Sequence, residues 1–233
     1  MLFPLRDFNP TRTAPVLTVL IIAVNIAVFL LPIFSEPRSE PMPLKYGMIP
    51  WEITRFQSAV LELSDSRGRI FVFQRDTPPV LTLFSSLFIH GGLIHLLGNM
   101  LFLWIFGNNV EDRLGKVRFL LFYLACGLGA SLVHVAFYPA SKIPVVGASG
   151  AISGIMGAYL ILFPTARVRT LVFLFFFITF VDLPAAVFLL IWFFYQFLYA
   201  GGGGGIAWLA HVGGFVIGFL LVRRMAGLRR NQF

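Results

Sequence analysis

The sequence predicts an all-α, polytopic membrane protein, and three observations carry that expectation. Of its 233 residues, 58% are hydrophobic and only 12% are charged, against roughly 25% charged in an ordinary soluble domain. Apolar runs long enough to cross a bilayer, about 20 residues, recur along the chain. Basic residues gather between alternate runs, as the positive-inside tendency requires of a multispan protein.

The first span is expected at Val16–Phe34. Arg6 and Arg12 precede it as in a secretory signal. The run is nevertheless longer than the roughly 7–15 residues of such a segment, and no small-x-small cleavage site follows, so retention is expected. Further spans are expected at Leu87–Phe106, Val117–Tyr138, Val145–Phe163, a run ending near Ala200, and Ile206–Met225. Between the first two lies Ser35–Ser86, with Pro37, Pro41, Pro43, Pro50, Pro78, Pro79 and mixed charges. This long first loop is expected to be partly membrane-associated, as short interfacial helices on the outer face.

Thr170–Tyr199 leaves two choices. Thirty residues would reach about 45 Å as one helix, well over a hydrocarbon core of about 30 Å, and Asp182-Leu183-Pro184 interrupts the run. Charge decides. One crossing gives six helices and gathers Arg6, Arg12, Arg113, Lys116, Arg118, Arg167, Arg169, Arg223, Arg224, Arg229 and Arg230 on the cytoplasmic side. Two crossings would expel the C-terminal arginines. The phenylalanines of Leu171–Phe180 are then expected to face lipid. A single membrane domain is expected over residues 1–233, with cytoplasmic segments at 1–15 and 226–233. Orientation accounts for the net charge of +8, so no nucleic-acid partner is expected.

Six spans bring the fourth and sixth helices in from the same side. Ser149, within Gly147-Ala148-Ser149-Gly150, stands near the start of one. His211, within Ala210-His211-Val212-Gly213-Gly214, lies five residues into the other, about 7–8 Å deep at helical rise. A nucleophile and a base thus share one level, which suggests nucleophilic catalysis inside a bilayer. Gly150 with Gly154, and Gly214 with Gly218, form small-residue faces that let helices approach closely. His211, Gly214 and Gly218 share a side of their helix. Such glycines alone would mean ordinary packing, but a buried ionisable side chain needs a partner. His95 and Asn99 lie four apart on the second span. Both can offer N–H groups to a developing oxyanion, as can the Ser149 backbone at a helix N-terminus; interhelical hydrogen bonding is the alternative for this pair.

Together these stretches resemble the rhomboid family of intramembrane serine proteases. The matching residues are His95-x-x-x-Asn99, Glu111-Asp112-Arg113-Leu114-Gly115, Gly147-Ala148-Ser149-Gly150 and Ala210-His211-x-x-Gly214, in family order, over a core of about 81–221. The resemblance implies a six-transmembrane-helix rhomboid-like bundle in a prokaryotic plasma membrane, its active site open to the extracytoplasmic side. It makes Ser149 the nucleophile and His211 the general base and then acid. His95, Asn99 and the Ser149 amide would line the oxyanion hole, supported by Gly147, Gly150 and Gly214. Ser86 and His90 would help hold water in a cavity. It implies transmembrane-protein substrates met in the lipid bilayer, with a small residue before the cut, and a Ser-His dyad that uses no metal and no cofactor. The alternative is a catalytically silent relative that binds membrane clients, although such relatives usually lack one dyad residue. A transporter or channel would need a second gate, and no inverted repeat is evident.

Two positions depart from the family pattern. Many members carry a Trp-Arg pair in the first loop where this chain has Leu81-Thr82, and some stack a tyrosine on the histidine from the position of Ser153. Loop rigidity and histidine positioning are therefore left open. His134 is expected to be structural, and Asn25 and Gln196 to make interhelical hydrogen bonds. Gly201–Gly205 is expected to be a flexible connector, with a moving lid as the sharper alternative. Cys126 is the sole cysteine, so no intramolecular disulfide can form. Oligomeric state is not legible.

Overall fold

The computed structural model describes residues 2–34, 41–64, 68, 70–174, 177–200 and 207–227. The glycine connector at 201–205 and the last arginines lie outside them. In chain order the described elements are β1 (Leu2–Asp7), α1 (Val16–Leu30), α2 (Met42–Tyr46), α3 (Pro50–Arg55), β2 (Val60–Ser64), β3 (Ile70–Gln74) and α4 (Pro79–Ser85). There follow α5 (Leu93–Leu114), α6 (Lys116–Phe137), α7 (Ser149–Leu162), β4 (Arg167–Leu174), β5 (Phe177–Pro184), α8 (Ala185–Tyr195) and α9 (Trp208–Met225). Helix dominates, as expected of a membrane bundle. Among the described residues, four helices are long and apolar enough to cross a bilayer: Val16–Ile33, Leu93–Leu114, Lys116–Phe137 and Trp208–Met225. Three shorter apolar helices, Pro79–Phe88, Ser149–Leu162 and Ala185–Leu198, complete the apolar set.

The second span is displaced from its expected bounds. Gly91-Gly92 delays its start to Leu93, and the charged Glu111-Asp112-Arg113 stays helical up to Leu114. Gly115 then ends α5 and begins α6 at φ +78°, a left-handed conformation that glycine adopts without a Cβ penalty.

α7 is the central post. Gly150 to Tyr159 are all buried, and the helix packs against α5, α6, α8 and α9. Absence of side chains makes this possible. A methyl group on Gly214 would collide with the Gly150 carbonyl, one on Gly218 with the Gly154 carbonyl, and one on Gly157 with the Phe215 carbonyl. α1 sits on the rim. Only Thr18, Ile21 and Asn25 of it are buried, a spacing of three and four that marks one helical face, while Val16, Leu20 and Val24 are exposed.

The acids at the end of α5 anchor that rim helix. Glu111 accepts hydrogen bonds from the Leu17 and Thr18 amides (3.0 and 2.7 Å) and from the Thr18 hydroxyl (2.8 Å). Asp112 accepts from the Arg12 and Thr13 amides (3.2 and 2.8 Å). The opening amides of a helix lack internal acceptors, and α1 begins at Pro15 without a side-chain cap of its own. A carboxylate from another helix therefore performs the capping, favoured by the dipole.

The all-α expectation needs correction, because the described residues include two sheets. β1, β4 and β5 form an antiparallel sheet in that order, with Leu2 opposite Val172 and Asp7 opposite Val168. Residues 170–174 and 177–183, expected as an irregular lead-in to a helix, are instead paired antiparallel strands, and Arg169 faces Asp182 across them. Their side chains form an ion pair at 2.8 Å. Val168, Thr170 and Val172 are buried, the period of two that defines a strand; continuous apolar residues beyond Leu171 hid that alternation. β1 takes an edge position, which tolerates Pro4. Asp7 at its end accepts hydrogen bonds from Tyr159 Oη on α7 and Asn109 Nδ2 on α5, each 2.7 Å.

The first loop holds α2, α3 and α4, in line with short helices, together with an unforeseen hairpin of β2 and β3. Arg75, at the exit of β3, is almost wholly buried. It pairs with Glu52 at 3.0 Å and donates to the Gly47 carbonyl at 2.7 Å and to that of Leu44. Glu52 in turn accepts from the Ala59 amide at 2.6 Å. This clasp fixes a loop that lacks the Trp-Arg pair. The loop also grips the segment ahead of α7: Met48 and Val145 exchange both backbone hydrogen bonds, at 3.0 and 2.7 Å.

Candidate active site

Ser149 is the first residue of α7, and His211 lies in the first turn of α9. The glycine contacts between those helices close the gap between their N-terminal ends. His211 Nε2 and Ser149 Oγ are 2.8 Å apart, and both side chains are partly buried. Residues 62 positions apart in the chain thus meet within a hydrogen bond.

The two open on a cavity of about 960 Å³ whose wall includes His95, Asn99, Ser86 and His134. His95 and Asn99 project from successive turns of α5. Asn99 Nδ2 donates to the His95 carbonyl at 2.8 Å, which uses one of its two amide hydrogens. Gly147 carries φ +124°, and a Cβ there would come within 2.8 Å of His95 Nε2. Glycine is thus required twice over, by the turn and by the imidazole against it. The Gly147 amide donates to the Ser86 carbonyl at 2.9 Å, which sets the approach to Ser149. As the opening residue of α7, Ser149 has an amide among those without an intrahelical acceptor.

One expected placement differs. His90 is buried but absent from the cavity wall, packing edge-on against His95 with ring centroids 5.1 Å apart. His134, expected to be structural, lies on the cavity wall. Ser153 also lines the cavity and donates to the Ser149 carbonyl at 2.6 Å. The histidine is flanked from α8 instead: Trp192 stands with its ring centroid 6.1 Å from that of His211. Gln196, one turn further on, places Oε1 2.8 Å from His211 Nδ1. Asn25 donates within its own helix, to the Ile21 carbonyl.

The fold and the site together define a membrane-embedded helical bundle with a serine–histidine contact opening on an internal cavity. The rhomboid-domain family model matches residues 78–227, and the chain belongs to the rhomboid family. Over 78 residues it is 45% identical to Rhomboid protease GluP of Bacillus subtilis, covering 34% of this chain and 15% of that protein. It is 42% identical over 78 residues to RHOMBOID-like protein 6, mitochondrial, of Arabidopsis thaliana, covering 34% and 25% of the two chains. With RHOMBOID-like protein 4 of Arabidopsis thaliana the identity is 35% over 139 residues, covering 60% and 32%. The aligned stretch spans less than a third of each of these relatives.

Proposed function

We propose that the chain is an intramembrane serine endopeptidase that hydrolyses peptide bonds in or near transmembrane segments of other membrane proteins. The observation that carries this reading is the 2.8 Å contact between Ser149 Oγ and His211 Nε2. In the proposed reaction His211 Nε2 removes the hydroxyl proton as Oγ bonds to the scissile carbonyl carbon. The proton then passes to the leaving amine as the C–N bond breaks. Water, deprotonated by the same nitrogen, hydrolyses the acyl-enzyme and frees Ser149. The oxyanion is met by the Ser149 amide, Asn99 Nδ2 and His95, donors fixed before charge develops.

The proposed topology has six crossings, α1, α5, α6, α7, α8 and α9, with both termini cytoplasmic and the cavity facing the extracytoplasmic side. Its support is positional. β1 pairs with β4, Thr13 with Asp112, and Arg118 Nη1 donates to the Met225 carbonyl. The basic residues around these contacts therefore share one end of the bundle, the end expected to face the cytoplasm. α7 has 14 residues, about 21 Å at helical rise, so it cannot fill a core of about 30 Å. Ser149 at its N-terminus is therefore recessed below the opposite face, and the cavity gives water a route to it. A prokaryotic plasma membrane is the proposed location.

Reaction with a fluorophosphonate probe tests the reading. The parent should label, Ser149→Ala should not, and His211→Ala should label far more slowly. Labelling that is independent of Ser149 would refute it.

A further inference from the structure

Three polar links stand in line behind the Ser149 hydroxyl. Ser149 Oγ meets His211 Nε2 at 2.8 Å, His211 Nδ1 meets Gln196 Oε1 at 2.8 Å, and Gln196 Nε2 meets the Trp192 carbonyl at 3.0 Å. The last link orients the whole row. A backbone carbonyl can only accept, so the amide group of Gln196 must face Trp192 and its oxygen must face the imidazole. An amide oxygen can likewise only accept, so Nδ1 carries the ring proton. The lone pair is thereby left on Nε2, facing the serine. The reverse tautomer would set a bare Nδ1 against the Gln196 oxygen, two acceptors with no proton between them.

We propose that Gln196 is a third, positioning member of the site, which holds His211 in the tautomer able to accept the Ser149 proton. The proposal rests on the serine–histidine reading and assigns it the orienting group that a dyad lacks. In the membrane an amide suits this role better than a carboxylate. Gln196 is only 4% exposed, and a charge so placed must be desolvated, whereas a neutral oxygen costs far less. When the serine proton reaches Nε2, the ring becomes a cation and its Nδ1–H bond to Gln196 becomes charge-assisted and stronger. Trp192 shares the same helical face one turn earlier, so its carbonyl and its ring act on one histidine. The other titratable side chains on the cavity wall are His95 of α5 and His134 and Tyr138 at the end of α6, and no carboxylate lines it among the described residues.

Gln196→Met keeps the length of the side chain and removes the acceptor, whereas Gln196→Glu keeps the acceptor and adds charge. Cleavage of a transmembrane reporter by the full chain in detergent would be followed from about pH 5 to 9, where a histidine base titrates. Thermal stability would be read in parallel. Gln196→Met should lower kcat by about 10- to 100-fold, below the 10²–10⁴ attributed to a whole general base, with KM little changed. Gln196→Glu should restore most of that loss and move the acid limb of the kcat/KM profile to higher pH. Parental kcat in Gln196→Met would overturn the proposal. So would equal losses in both variants that track lost thermal stability, since that is the mark of a merely structural side chain. A parent with no Ser149-dependent fluorophosphonate labelling would instead overturn the serine–histidine reading beneath it.

Discussion

Gly214 on α9 lies so close to the Gly150 carbonyl on α7 that no side chain fits between them. The contact is one turn from His211 and one residue from Ser149, so backbone proximity here sets the distance between the two functional groups. Gly214→Ala must push the helices apart. Overpacking of this kind costs about 1–3 kcal/mol, and a displacement of about 1 Å at a reacting pair can cost 100-fold in rate. Fluorophosphonate labelling should fall by that order while the chain remains folded, as judged by thermal unfolding. Labelling at the parental rate would show that the glycine contact does not set the site.

Glu111 supplies the cap that α1 lacks. Glu111→Ala would strand two amides and a buried hydroxyl, at about 1–3 kcal/mol. Glu111→Gln, which retains one acceptor oxygen, should lose less. Asp112→Ala, at a more exposed position, should lose less again. Unfolding midpoints of the three variants check the order.

Arg75 and Glu52 form a buried pair, and removing one partner leaves the other uncompensated, at a cost of about 3–5 kcal/mol. Arg75→Met should therefore destabilise the first loop strongly. The double change Arg75→Met with Glu52→Met should recover much of that loss. Limited proteolysis of residues 41–78 provides the readout. A double variant no better than the single one would contradict the pairing.

Asp7 gives a pH dependence whose sign follows from its burial. Desolvation raises its carboxyl above the ordinary 3.8, and hydrogen bonds from Tyr159 and Asn109 only partly oppose this. The folded chain therefore binds more protons than the unfolded chain between the two pKa values. Stability from this group is fully present at low pH and is lost as pH rises through the raised value. Asp7→Asn removes the titration. The melting temperature of the variant relative to the parent should climb with pH from about 4 and then level off. A difference independent of pH would contradict the burial of this carboxylate.

Much of this was legible in the sequence, for physical reasons that can be named. Helices such as α6 announce themselves by unbroken apolar length. Ser149 and His211 were brought together by counting charges and spans, and Gly150, Gly154, Gly214 and Gly218 by helical spacing. The β4–β5 hairpin was not legible, because the period of two at Val168, Thr170 and Val172 runs into residues apolar on both faces, where periodicity cannot separate strand from helix. The Arg75–Glu52 clasp was hidden by a separation that only the folded loop closes. Gln196 bonds between helices, as its place in an apolar run suggests. That its partner is the imidazole facing Ser149 depends on the angle of α8, which no pattern in the chain specifies. The charges of Glu111 and Asp112 are visible as a motif, but the capping of α1 by Glu111 is not, since the donors lie more than 90 residues earlier.

Proteolytic turnover of a transmembrane reporter in liposomes is the most direct measurement, comparing the parent with Ser149→Ala and His211→Ala. The account predicts a cut by the parent within or beside the membrane-spanning segment. It predicts a loss on the order of 10⁴-fold or more in each variant, since nucleophile and base act as one unit. Cleavage that persists near the parental rate in either variant would contradict it.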